Sequence, residues 1–181
     1  YLKQSAYFVD KAQSANSEMD PQASQLLEKA IQSYQQAVDL KPDAKQYGTP
    51  IEELARISLA NAYKLKGIIN ALGSDSPAAI KAIEESISTL EQTVGIFEKS
   101  VAQHESYRRY LAQNYEYLGE AYLMLDRLSD AQTMLSRLDA ECKRVVLVFT
   151  DGYFRNACGE HAQLNEKIEA YVTQGKVSAP W

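Results

Sequence analysis

The sparse, ordered placement of chain breakers constrains this chain more than any other feature. Its 181 residues hold 8 Gly and 5 Pro, about 7% together against roughly 12% in average usage. Most of them fall at Pro21, Pro42, Gly48, Pro50, Gly73, Pro77 and Gly175. Between those points apolar residues recur at helical spacing. A chain with few turns and a 3.6-residue apolar period buries its stripes helix against helix. The expected fold class is therefore all-α, built of antiparallel helical hairpins. A collagen-like chain, a disulfide-dense mini-protein and a low-complexity disordered chain are excluded.

The spacing predicts seven helices. Leu2, Ala6, Val9 and Ala12 mark the first, over residues 2–17. Asp20-Pro21 opens the second: an N-cap acceptor followed by Pro, whose missing N–H costs nothing at the first helical position. Leu27, Ala30, Ile31, Tyr34, Ala37 and Val38 give its stripe, and Pro42 stops it near residue 40. The stretch 43–50 reads as a linker. Thr49-Pro50 opens the third helix, Glu52 completing a capping box, and it runs to about Leu72. The fourth spans about 77–103. Its Ile80, Ile83, Ile87, Leu90, Val94, Phe97 and Val101 alternate spacings of three and four. That seam suits either an internal core stripe or a coiled-coil contact with another subunit. Further helices cover about 105–125, 129–143 and 159–174, the last stopped by Gly175. Residues 144–157 break the pattern. Val145–Phe149 is apolar and largely β-branched, and Asp151-Gly152 suits a tight turn. Either a short β-hairpin, 145–150 with 153–156, or an apolar extension of the sixth helix fits. The whole, 1–181, reads as one domain: pairs at about 2–40, 50–103 and 105–143, an irregular loop at 144–157 and a capping helix at 158–175.

The net charge of −5 is spread evenly along the chain. No stretch is basic enough to neutralise phosphates, so nucleic acid is not an expected partner. The longest apolar run, Val145–Phe149, is five residues, far short of the roughly 18–20 that span a bilayer. The chain starts at Tyr1 rather than Met, which reads as a processed or trimmed N-terminus. Its compartment is not legible there. Two cysteines, Cys142 and Cys158, lie too far apart for a CxxC motif. They are either two free thiols or a disulfide closing a short loop. The bonded form implies an oxidising compartment.

Tyr115, Leu118-Gly119 and Tyr122 on one helix are followed by Ala131, Leu135 and Leu138 on the next. This pair resembles a tetratricopeptide repeat (TPR). Ala30, Tyr34, Ala37 and Pro42 match the second helix of that motif, and Leu59, Ala60 and Tyr63 its first. Leu59 and Leu118 are 59 residues apart, against a period of about 34 in that family. The resemblance covers roughly residues 1–143. It implies about three TPR-like pairs in a short right-handed superhelix, a polar-faced C-terminal capping helix, and a concave face that takes a peptide or protein segment. Residues 138–142 and 158–171 also resemble the C-termini of some bacterial TPR-like proteins, in which two cysteines bracket a loop before a capping helix. That likeness implies a Cys142–Cys158 disulfide in an exported, secreted or periplasmic, bacterial protein.

No motif of a nucleotide-binding loop, serine hydrolase or metalloprotease occurs. The histidines, His104 and His161, lack ligand spacing, so neither metal nor cofactor is expected, and no catalytic residue. His161 and Cys158 lie three apart at a helix start, but without a third orienting group they make no nucleophile. The tyrosines are more informative. Tyr107, Tyr110, Tyr115, Tyr117 and Tyr122 crowd one helix, with Arg108, Arg109, Gln113 and Asn114 between them. Tyr and Arg are typical interface hot spots, and in the TPR family first helices face the ligand. The expected peptide- or protein-binding residues are Asn61, Lys64, Tyr107, Arg108, Tyr110, Gln113, Asn114 and Tyr117. For Tyr107, Tyr110 and Tyr117 binding and plain packing are both open; Tyr115 and Tyr122 fall at packing positions of the motif. Asn61 lies where carboxylate-clamp members of the family hold a peptide C-terminus, but Ile57 replaces the accompanying Lys, which argues against such a clamp. The expected function is a non-enzymatic interaction scaffold for a protein or peptide. The alternative is a structural subunit that self-associates through the long fourth helix or through 145–149.

Overall fold

In a computed structural model, residues 21–39, 45–46, 49–72, 76–102, 107–148 and 155–174 are described. The described chain is helical apart from one two-residue ladder. In order it forms α1 (Pro21–Asp39), β1 (Lys45–Gln46), β2 (Thr49–Pro50), α2 (Ile51–Leu72), α3 (Ser76–Ser100), α4 (Arg108–Met124), α5 (Leu128–Val148) and α6 (Arg155–Gln174). The expected all-α class is what the structure has. The first expected helix, over 2–17, lies outside the described residues. β1 and β2 pair antiparallel, Lys45 opposite Pro50 and Gln46 opposite Thr49, inside the stretch expected to be a plain linker.

The described chain divides within α3 into two compact units, one up to Thr89 and one from Leu90. In the first unit, α1 packs on α2. Leu27, Ile31 and Val38 meet Ala55, Leu59, Ala62 and Ile69, with Tyr34, Ala37, Tyr63, Leu65 and Ile68 at the margin. Lys66 Nζ pairs with Glu28 across them at 2.8 Å. The first half of α3 runs antiparallel to α2. Ser86 Oγ, fully buried, donates to the Ala60 carbonyl at 2.8 Å. Near the turn, Gly67 sits so close that a Cβ there would lie 2.4 Å from Ile83 Cδ1.

In the second unit, the end of α3, α4, α5 and α6 pack together. Phe97 is sealed, its ring edge-on to Tyr107 at 5.7 Å and stacked on Tyr110 at 5.9 Å. α4 ends in a left-handed turn in which Asp126 takes φ 58°. Its neighbours close the end through Arg127 N–H to the Tyr122 carbonyl at 2.9 Å and Asp126 N–H to the Leu123 carbonyl at 3.1 Å. That is a position glycine usually fills. α6 packs on both α4 and α5, as a helix closing the end of a stack must. Its Leu164 fills a notch at Gly119, where an added Cβ would lie 2.6 Å from Leu164 Cδ2.

Two sequence expectations are settled here. The β-hairpin at 145–150 with 153–156 does not form: α5 continues through Val148 and α6 already begins at Arg155. The extension of the preceding helix, the other reading of that run, is the one observed. Valine costs a helix only a few tenths of a kcal/mol per residue, and a helix already nucleated propagates through such a run. The α3 seam is internal. Ile83, Ile87, Leu90, Val94 and Phe97 are buried within the chain, and Ile80 alone of its described buried-seam series is open, at 49%. Of the two readings of that seam, its burial matches the internal core stripe; the side chains of 145–149 lie outside the described residues.

Candidate functional site

α4 positions most of the residues that the sequence singled out, and it is encased almost completely. Between 110 and 122 every residue is buried except Tyr110, Gln113, Tyr117 and Glu120, which are half-buried, and Met124 continues the series. Their spacing of three, four, three and four places them on one stripe of the helix. Gln113 Nε2 donates to the Tyr117 hydroxyl oxygen at 2.9 Å. Glu120 takes an ion pair from Lys167 of α6.

Of the remaining candidates on or next to this helix, Tyr107 and Asn114 are buried and Arg108 is half-buried. Tyr107 is 3% exposed and packs on Phe97; of its two readings, packing is the one observed. Arg108 Nη1 reaches Glu141 Oε2 of α5 at 2.9 Å, the two side chains 15% and 9% exposed. This is a structural ion pair instead of an open contact. Asn114 is fully buried and its Nδ2 donates to the Tyr110 carbonyl at 2.6 Å. Its Oδ1 has no hydrogen-bond partner among the described atoms, an omission that costs about 1–3 kcal/mol. Tyr110 shares its ring with the core through Phe97 but keeps one edge in the stripe. Thus Tyr110, Gln113 and Tyr117 lie half-buried on one stripe, Arg108 is half-buried and paired with Glu141, and Tyr107 and Asn114 are buried.

The packing tyrosines make a repeated set of contacts. The Tyr115 hydroxyl donates to Glu98 Oε1 at 2.9 Å, and Arg137 pairs with that same oxygen at 3.1 Å while lying 5.8 Å over the Tyr115 ring. One heptad on, the Tyr122 hydroxyl donates to Glu91 Oε1 at 2.6 Å, and Arg127 lies 4.4 Å over its ring while binding Asp130. Burial, then the bond to the carboxylate, pushes both phenols well above their ordinary value of 10.

No family model, curated protein or solved structure matches this chain.

Comparison within the chain is more informative. Asn61 and Lys64 lie half-buried on α2 in the first unit. From 54 to 65, every position except 56 and 63 has the same burial as the position 59 residues further on. Ala55, Ile57, Leu59, Ala60 and Ala62 are buried, as are Asn114, Glu116, Leu118, Gly119 and Ala121. Leu54, Ser58, Asn61 and Leu65 are half-buried, as are Gln113, Tyr117, Glu120 and Met124. Asn61 is thus the counterpart of Glu120, and Ser58 of Tyr117. Sequence reasoning missed Glu120 as a member of the stripe. The signal was present in its spacing of three from Tyr117.

Cys142 lies on α5, and the side chain of Cys158 falls outside the described residues, so the expected pairing does too. Among the described residues no group of three metal-ligating side chains occurs, and no helix is long and apolar enough to cross a membrane.

Proposed function

We propose that this protein is a non-enzymatic, TPR-like scaffold that binds a protein or peptide segment along the open stripe of α4. The observation that carries the reading is the stripe itself. Between 110 and 122 a helix otherwise buried leaves two tyrosines, a glutamine and a glutamate half-buried in line, and the half-buried Met124 continues the line. Tyr and Met are side chains that interfaces favour, and amides fix register by hydrogen bonds. The matching burial of α2 and α4 at a 59-residue offset supports a repeat architecture, in which equivalent helices present equivalent stripes. The closure of the stack by α6 supports the capping role.

The same reading takes Cys142 and Cys158 as bonded and the protein as exported. Its support is the likeness of residues 138–142 and 158–171 to C-termini in which two cysteines bracket a loop before a capping helix. Thiol titration of unreduced native protein tests that part: none is expected, and two free thiols refute it.

The test of binding is a paired substitution. Tyr117→Ala with Gln113→Ala is expected to reduce partner capture from source-cell extract at least about tenfold, the loss of roughly one hot spot. The melting temperature is expected to move by less than about 3 °C. Unchanged capture, or equal loss of capture and folding, refutes the assignment.

A further inference from the structure

Glu120 is the one ionisable member of the α4 stripe apart from the tyrosines, and it is already engaged. Its side chain is 14% exposed, whereas that of Lys167, which reaches it from α6, is 48% exposed. A carboxylate so little hydrated needs a cation beside it. Lys167 itself is a mobile-stemmed, mostly solvated donor on the outer face of α6 and loses little by leaving. The rest of the stripe cannot supply the charge, since Tyr110, Gln113, Tyr117 and Met124 are neutral. At the matching place on α2 stands the uncharged Asn61, so the acid is particular to the second unit. Close behind the stripe, Asn114 Oδ1 is a second acceptor, buried and without a partner.

We infer that Glu120 is the recognition point for a basic side chain of the bound segment, and that Lys167 holds that place in the unbound protein. The inference rests on the binding reading of the stripe and gives its partner a chemistry: a peptide segment with a lysine or arginine flanked by residues that pack on Tyr117 and Met124. Binding exchanges one ammonium for another at Glu120. The cation of the segment then competes with an intramolecular one. Weakening Lys167 therefore strengthens capture, the reverse of what a stabilising surface ion pair alone would give.

An array of twelve-residue peptides tests this, each random sequence made twice, with lysine or with norleucine at its centre. It is probed with the wild-type protein and with Lys167→Ala, Lys167→Met, Glu120→Gln and Tyr117→Ala, each verified by its melting curve. Lysine-centred members are expected to be retained about tenfold over their norleucine matches, as for one charge-assisted hydrogen bond. The preference is expected to widen in both Lys167 variants and to vanish in Glu120→Gln. Absence of a lysine preference, its survival in Glu120→Gln, or weaker capture by the Lys167 variants overturns the inference. Tyr117→Ala separates the two levels. If it lowers capture of both peptide classes while no lysine preference exists, the stripe binds and only the placeholder role fails. If it changes nothing, the binding reading itself fails.

Discussion

Gly67, Gly95 and Gly119, all inside helices, show how much a single Cβ decides. At Gly119 an added methyl would press on Leu164, which is sealed between α4 and α6. At Gly67 it would meet Ile83 and come within 3.2 Å of the Ala79 carbonyl oxygen. At Gly95 it would meet nothing within 4 Å. Gly119→Ala and Gly67→Ala are expected to lower stability by about 2 kcal/mol each, the cost of overpacking. Gly95→Ala is expected to raise it by about 1 kcal/mol through helix propensity. Urea melts of the three variants check the signs. Arg108 gives a second residue-scale test. Removing it leaves Glu141 charged and nine-tenths buried, so Arg108→Ala is expected to cost about 3 kcal/mol. Arg108→Met with Glu141→Leu is expected to recover most of that loss. A mild effect of Arg108→Ala would mean that Arg108 is an open contact after all. Why Tyr107 and Arg108 were read as binding candidates is also clear at this scale. Their partners, Phe97 and Glu141, lie 10 and 33 residues away in sequence, beyond the reach of helical spacing.

At the scale of elements, the helix starts were legible because their signals are local. Pro21 opens α1, Thr49-Pro50 immediately precedes α2, and Ser76-Pro77 opens α3, as a cap followed by a proline should. Gly175 follows the last residue of α6. What was not legible is the length of α5, because a β-branched run has no intrinsic choice between strand and helix until a helix already stands before it. The contact of α3 with α4 makes a prediction of its own. Tyr115 and Tyr122 are held protonated by burial and by Glu98 and Glu91, so both folded values stand above the unfolded value of 10. A group whose folded pKa is raised supports the fold fully below its unfolded pKa and loses that support as pH rises toward the folded one. The melting temperature is therefore expected to fall steeply above pH 10. In Tyr115→Phe with Tyr122→Phe the fall above pH 10 is expected to be shallower. Parallel curves for the two proteins would show that the hydroxyl–carboxylate bonds contribute nothing.

For the whole molecule, the all-helical class follows from apolar periodicity, which also marks the α3 seam but not what covers it. The stripe on α4 was half visible. Tyr110, Gln113 and Tyr117 stand out by composition, but which tyrosines face inward depends on how α3, α5 and α6 surround α4. The matching burial of α2 and α4 needed the structure, since at that offset their residues agree only at Leu59 and Leu118, Ala62 and Ala121, and Tyr63 and Tyr122. Ile83, Ile87, Leu90, Val94 and Phe97 are buried within the chain, so self-association through that seam would have to expose them. The central claim is that the α4 stripe is where a partner sits, and site-specific photocrosslinking tests it most directly. A photoreactive side chain is placed at Tyr117 in one protein and at Gln132, exposed on α5, in another, and both are irradiated in source-cell extract. A discrete adduct from position 117, absent from position 132 and lost when Gln113→Ala is added, is the predicted result. Equal labelling from both positions, or none from 117, would contradict it.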